Sequence, residues 1–385
     1  MENNPAANIA TYFSELKDPR VERTKEHKLL DILVMAICAI ICGCDDWEAI
    51  ADYSRDQQAW FATFLALPNG IPSHDTFWRV FRVLDGEQFQ ACFVAWMRAV
   101  SQIIEGEVIA IDGKFVRGSH DKGIGKGAID MVSAWASSNR VVLGQRKVDE
   151  KSNEITAIPL LLRTLAIRGC IVTIDAMAPR GHPQAEIAET IVDQGADYIL
   201  QLKENQGNLS ADTALLFTDL EQSRFTAYPY DTAKTVDKDH GRIEIRQAWT
   251  INDPALLCHL RNTDRFKNLQ TLMKVRHERH LNGTVSVEEH YYIASLKTSA
   301  ATLLAAKRTH WQVENSLHWV LDIAFREDES RLRKDSGAHN FAILRHIALN
   351  ALKQETSVKL GIRNKRLKAA RNHSYLLKVL ATLFN

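Results

Sequence analysis

The chain of 385 residues is 45% hydrophobic and 25% charged, and its formal net charge is +1. This length is enough for two or three domains, and the composition is ordinary for a soluble globular protein. A total charge near zero does not exclude nucleic-acid binding, because a basic face can be balanced by acids elsewhere, so local clusters are more informative.

The cysteines and the apolar runs predict a cytoplasmic protein without a membrane segment. None of the six cysteines belongs to a paired CxxC pattern, which indicates reduced thiols in the core. The opening Met1–Ala10 is polar and does not resemble a secretory signal. The longest apolar run, Leu29–Cys44, contains Asp31 and is shorter than the ~20 residues that span a bilayer. We expect it to form a buried helix.

Residues 1–100 are expected to form a helical domain. Apolar residues recur at helical spacing between Leu30 and Ile41. The turn Asn69–Asp75 then leads into a second helix, Thr76–Leu84. No metal-ligand spacing occurs in this block, so we interpret it as a docking or DNA-contacting domain.

From residue 107 the pattern changes to a strand, a hairpin, and then helices that alternate with strands. This order predicts a mixed sheet with helices on its faces, as in ribonuclease-H-like folds. The first strand is expected to end at Asp112, where Gly113 turns the chain, and a later strand ends at Asp175. The other predicted elements are the hairpin Met131–Ala136 and Val141–Val148, the helices Ile155–Ala166 and Glu186–Gln194, and the strand Tyr198–Lys203.

The remaining chain divides into an insertion, a long helix and a basic tail. Further strands over about 206–300 predict a β-rich insertion, and an amphipathic helix is expected from Ser299 to about Phe325. The last segment is helical and basic, with no acid after Glu355. We therefore predict a helical domain over 1–100, an α/β domain over 101–350 and a basic helical tail over 351–385.

Three acids are the candidate catalytic centre. Asp112 and Asp175 follow apolar strands, and Glu314 lies four residues before His318 on one face of the predicted long helix. Carboxylate oxygens suit Mg²⁺ or Mn²⁺. Two such ions would support phosphoryl transfer by activating the nucleophile and stabilising the leaving oxygen. Taken alone, Glu314 fits equally well a solvated position on a helix that tryptophans and leucines pack.

Six stretches of the chain share motifs with a known family. They are Asn69–Phe77 (NGIPSHDTF), Ile111–Ser119 (IDGKFVRGS), Lys151–Leu162 (KSNEITAIPLLL), Val172–Met177 (VTIDAM), Ala196–Gln206 (ADYILQLKENQ) and His310–Asp322 (HWQVENSLHWVLD). Together they resemble the DDE transposases of the H-repeat-associated insertion-sequence type, and the resemblance covers most of the chain. It implies that Asp112, Asp175 and Glu314 bind the metal ions. It also implies a ribonuclease-H-like catalytic domain, a helical N-terminal associated domain, and a homodimer or larger assembly on paired DNA ends.

Basic and polar residues near these motifs are candidates for contacts with DNA phosphates. Lys114 and Arg117 follow the first aspartate, and simple exposure explains them equally well. Lys203 and Asn205 end a strand beside the proposed centre, where DNA contact is favoured.

Two histidines and the basic tail are further candidates. We hypothesise that His310 and His318 replace basic side chains that related transposases carry around the glutamate. A cationic face binds a duplex by releasing its counterions. DNA binding is therefore also predicted for the tail residues Arg363, Lys365, Arg366 and Lys368.

The expected function is metal-dependent cleavage at insertion-sequence ends followed by strand transfer into target DNA. Two alternatives stay open from the residues alone. One is a ribonuclease-H-like nuclease without strand transfer, and the other is an inactive copy that only binds DNA. A Rossmann-type enzyme is not expected, because no GxGxxG follows any of the strands.

Overall fold

A computed structural model describes residues 5–120, 128–148, 154–175, 183–203, 207–239 and 241–383. The helices are α1 (Pro5–Phe13), α2 (Leu29–Ile41), α3 (Trp47–Asp56), α4 (Gln58–Phe61), α5 (His74–Val83), α6 (Gly86–Val100), α7 (Glu154–Thr164), α8 (Pro183–Asp193), α9 (Asn208–Gln222), α10 (Pro254–Leu257), α11 (Ala300–His310), α12 (Trp319–Phe325), α13 (Gly337–Gln354), α14 (Ile362–Arg371) and α15 (His373–Ala381). The strands are β1 (Val108–Val116), β2 (Ile129–Ala136), β3 (Val141–Lys147), β4 (Ile171–Ile174), β5 (Asp197–Leu202), β6 (Asp231–Asp239), β7 (Arg242–Ile251), β8 (Thr271–Leu281) and β9 (Thr284–Ala294).

The chain divides into two compact units. The helical unit comprises Met1–Gln102, Gly113–Asn153 and Val313–Asn385, and the sheet unit comprises Ile103–Asp112 and Glu154–Gln312. Strand β1 contributes its first five residues to the sheet unit and its last four to the helical unit.

The core of the helical unit is built around α13, which is buried along nearly its whole length. It packs against α2, α5, α6 and β3. Polar residues of α13 are buried because they bond to backbone groups, as when Asn340 Nδ2 donates to the carbonyls of Phe81 and Leu84. Asn350 likewise bonds to both backbone groups of Val142 on β3. These bonds fix the position of α13 against the helices and the hairpin.

The N-terminal helices form as predicted, for local reasons. The run that forms α2 is buried from Asp31 onward, and Asp31 accepts a hydrogen bond from the backbone N–H of Leu67. Helix α5 begins after Ser73, whose hydroxyl caps the N–H of Thr76. The predicted basic tail forms α14 and α15, which pack on α13, so it is part of this unit. The boundaries at residues 100 and 350 stay predictions.

The sheet unit confirms the mixed sheet. Its strand order is β1-β4-β5-β9-β8-β7-β6, in which β1, β4 and β5 are parallel and the others antiparallel. In the helical unit the order is β3-β2-β1, with β2 and β3 as an antiparallel hairpin. A hairpin next to β1, followed by parallel strands joined through helices, is the ribonuclease-H-like arrangement that the sequence predicts. The insertion is β-rich, and it also contains helix α9 and strand β6, which the sequence analysis missed.

One predicted boundary is wrong. The first strand does not end at Asp112, because β1 continues through Gly113 to Val116. A glycine next to an acid is a turn signal only when no neighbouring strand is available for pairing, and here β2 is the neighbour. Asp112 therefore lies within a strand.

Candidate active site

The register of two parallel strands places Asp112 beside Asp175. Ile111 of β1 is paired with Ile174 of β4, and each aspartate is the next residue along the chain. Neighbouring strands lie about 4.8 Å apart, so the two carboxylates start from adjacent backbone positions. Asp175 is the first residue after β4, and its side chain is 40% exposed. The pair of acids predicted from the sequence is thus adjacent in the sheet unit.

His310 lies behind Asp175. Its Nδ1 is 2.9 Å from the hydroxyl of Thr173, and its Nε2 is 3.7 Å from Asp175 Oδ2. Burial lowers the pKa of His310, and the opposing effect of the Asp175 carboxylate is smaller. His310 has 3% of its surface exposed, and its ring lies against Thr173 and Asp175. Its predicted contact with DNA phosphate stays a prediction.

Glu314 lies on the predicted long helix, but in an unusual turn. The helix starts after its cap Ser299 and ends at Phe325, as predicted, and Glu314–His318 form a π-helical turn within it. Such turns are rare and are frequently found at functional sites. The Glu314 side chain is 57% exposed, and one of its oxygens is 3.9 Å from Nδ1 of His318.

His318 is buried, with 7% of its surface exposed. Its imidazole lies against the glutamate. The predicted contact of His318 with DNA phosphate stays a prediction.

Lys114 is held inside the helical unit by two acids. Its Nζ donates to Asp322 Oδ1 at 2.5 Å and to Glu327 Oε2 at 2.9 Å. Glu327 is 2% exposed and also lies 3.6 Å from the buried guanidinium of Arg345. The prediction that Lys114 contacts DNA does not fit this geometry, because both acceptors already neutralise the ammonium group.

The electrostatics of this network agree with its geometry. Burial alone lowers the pKa of Lys114, but Glu327 and Asp322 outweigh it, so the pKa of Lys114 is raised. Burial raises the pKa of Glu327, but Lys114 and Arg345 outweigh that effect, and its pKa falls below the usual value. Both groups are therefore charged at neutral pH. The sequence pointed to no partner for Lys114, since its acceptors are more than two hundred residues away.

Two tail residues for which DNA contact is predicted are buried in the structure. Arg366 is 3% exposed and donates to the carbonyl of Ile40 and to Asp45 Oδ1 at 2.6 Å. Lys365 is 6% exposed and donates to the carbonyl of Leu352 at 2.8 Å. These two cations of α14 face inward, where they donate to carbonyls in the last turns of α2 and α13.

The remaining predicted contacts are more accessible. Arg117 is 82% exposed and lies 3.6 Å from Asp328, and Arg363 is exposed on α14. Lys368 is half-buried, with its Nζ 5.3 Å from the centre of the Tyr375 ring. Lys203 is half-buried directly after β5. Asn205 lies outside the described residues.

Comparison with known proteins agrees with this arrangement. The family model for the transposase DDE domain matches residues 104–351, and the model for its associated N-terminal region matches residues 10–97. The chain belongs to the DDE transposase family. Two relatives from Escherichia coli are similar over 97% of this chain: YncI of strain O157:H7, described as a candidate transposase, and YhhI of strain K12, described as an H repeat-associated one. Both are 39% identical, over 94% and 97% of their own lengths respectively.

A solved structure is also similar to this DDE transposase. It is a piggyBac transposase synaptic complex with hairpin DNA, at 10% identity and a TM-score of 0.46, over 97% of this chain and 81% of that one. DDE transposases generally use divalent metal ions and act on DNA. In the part of this transposase that the structure describes, no helix is long and apolar enough to cross a membrane.

Proposed function

We propose that this transposase cuts DNA at the ends of an insertion sequence and joins the free ends to target DNA. The observation that carries the proposal is the strand register that sets Asp112 beside Asp175. Two carboxylates at adjacent backbone positions repel each other unless cations lie between them. Both are partly exposed, which suits a substrate that approaches from solvent.

Contacts made by the end of β1 support the inclusion of Glu314. Lys114 contacts Asp322 and Glu327, and Gly118 lies against the backbone of Asp328 and Ser330. Later residues of the chain after Asp112 thus contact later residues of the segment from α12 to Ser330. Glu314 lies about two helical turns before Asp322, so it belongs to the helix that Lys114 contacts.

The donor set fits hard divalent ions. Asp112, Glu314 and His318 are side chains of the kinds that hold metal ions, and Asp175 adds a further carboxylate. Carboxylate oxygens are the ligands that Mg²⁺ and Mn²⁺ prefer. When bound, two such ions activate the attacking oxygen and stabilise the leaving oxygen. The chain's own contribution is to hold the acids at a fixed spacing, with His310 orienting Asp175.

We also propose how this centre meets DNA. Arg117, Lys203 and Arg363 remain the candidates for phosphate contacts, since their side chains are at least partly accessible. Lys368 would add to the face of α14. We propose a homodimer or a larger assembly on paired element ends, and action in the cytoplasm, where the free thiols of the described cysteines would stay reduced.

The test is a cleavage and joining assay on candidate element ends, with and without Mg²⁺. A labelled 3′ end should be cut and then joined to a target plasmid only with the metal. Asp112→Asn, Asp175→Asn and Glu314→Gln should each abolish both steps. The matched surface change Asp52→Asn should keep them, because Asp52 is exposed and pairs with its helix neighbour Arg55. Nicking without joining would indicate a nuclease. Activity that persists in the three variants would refute the site assignment.

A further inference from the structure

The contacts of Lys114 connect strand β1 with helix α12. Lys114 lies two residues after Asp112 on β1, and alternate residues of a strand project to the same side. Asp322 lies on α12, which continues directly from the turn that carries Glu314. The bond between Nζ and Asp322 therefore ties the strand of the first acid to the helix of the third.

This connection is enclosed, which distinguishes it from a surface ion pair. The Lys114 side chain is 12% exposed, and Glu327 is almost completely buried between Lys114 and Arg345. Removing one member of a buried charge network leaves the others without compensation. The network therefore resists any change in the distance between β1 and the segment that follows α12.

A second contact involves the backbone just beyond β1 and the segment after α12. At Gly118, just beyond β1, a Cβ atom would lie 2.0 Å from the carbonyl oxygen of Ser330 and 2.9 Å from that of Asp328. The backbone N–H of Arg117 points to Asp328 Oδ1 at 3.4 Å. The chain after β1 and the chain after α12 are thus in direct backbone contact, so the Lys114 bonds operate within a close-packed junction.

We propose that Lys114 is a positioning residue that fixes the end of β1, two residues after Asp112, against α12, and that it does not contact DNA. This inference rests on the proposed function. Helix α12 continues from the turn that carries Glu314, so a looser junction would weaken the binding of the divalent ions that the proposed function requires. Side chains that hold metal ligands in position typically contribute 10- to 100-fold to metal affinity or activity.

The experiment compares Lys114→Met with Lys114→Arg in the full-length protein. Lys114→Met keeps the length of the side chain but removes its charge, and we expect the Mg²⁺ concentration for half-maximal cleavage to rise about tenfold or more. Lys114→Arg should recover part of this loss, since it restores a cation. The dissociation constant for element-end DNA should stay within about twofold in both variants, because Lys114 is enclosed. Lys25→Met is the matched control, since Lys25 pairs with Glu22 on the surface, far from the acids in sequence.

Asp322→Asn keeps the inference testable if Lys114→Met does not fold. Asp322 is 32% exposed, and its change removes one partner of Lys114 while leaving Glu327 in place. It should raise the Mg²⁺ requirement in the same direction. The double variant with Lys114→Met should lose no more than Lys114→Met alone, because Asp322→Asn breaks a bond that Lys114→Met already removes.

Two results would separate failure of this inference from failure of the proposed function. If the unaltered protein lacks metal-dependent cleavage, or if Asp112→Asn retains it, the proposed function itself fails. If cleavage depends on Asp112 but Lys114→Met has an unchanged Mg²⁺ requirement, Lys114 is not a positioning residue. Weaker DNA binding at an unchanged Mg²⁺ requirement would assign Lys114 to DNA and overturn the proposal.

Discussion

Arg366→Met provides a direct test of whether this cation of α14 is structural. The change removes a guanidinium that bonds to Asp45 and to the carbonyls of Ile40 and Ala324, and it leaves an apolar side chain over the Phe325 ring. Breaking a buried ion pair by removing one partner costs about 3–5 kcal/mol. Asp45 keeps 19% of its side chain exposed, so water would partly compensate its charge. We therefore expect the free energy of unfolding to fall by about 3 kcal/mol, at the lower end of that range.

Urea unfolding followed by circular dichroism measures this loss of stability. DNA binding at several salt concentrations tests whether the side chain contacts DNA. The matched control is Arg363→Met, on the exposed side of the same helix. It should change stability by less than about 0.5 kcal/mol, but it should lower the salt dependence of DNA binding by about one counterion. The reasoning is refuted if Arg366→Met unfolds at the same urea concentration as the unaltered protein and weakens DNA binding as much as Arg363→Met.

Three further predictions concern orientation, pH and packing. His310→Ala should lower cleavage by roughly 10- to 100-fold with unchanged DNA affinity, and a parallel loss of affinity would argue for phosphate contact instead. Burial lowers the pKa of His346 from 6.5 to about 4, so the unfolded chain binds the extra proton first as the pH falls. The free energy of unfolding should therefore drop by about 3 kcal/mol between pH 6.5 and 4. Acid unfolding of His346→Gln should show a smaller drop. Gly118→Ala should lower the free energy of unfolding by about 1–3 kcal/mol, since its Cβ would meet the carbonyl of Ser330. The control Gly337→Ala should have little effect, because its Cβ would meet nothing closer than 4.0 Å. Thermal melts of both variants measure these changes.

The sequence by itself determined the elements and the type of chemistry. Apolar runs and their spacing depend on near neighbours, so the hairpin, the parallel strands and the long helix up to Phe325 could be predicted to within a few residues. Asp175 could be placed at a strand end for the same reason. The family motifs then predicted the catalytic acids, and the family comparisons confirmed the kind of protein.

The tertiary structure alone decided which charged side chains face inward. Lys114 and Arg366 look like DNA contacts in the sequence, because a cation beside a motif gives no sign of a partner that lies more than two hundred residues away. Burying such a group is unfavourable unless an acid or a carbonyl meets it, and only folding brings those acceptors together. Likewise, Asp112 lies within β1 because β2 lies beside that strand. Pairing between strands is a non-local interaction, so local turn residues do not reveal it.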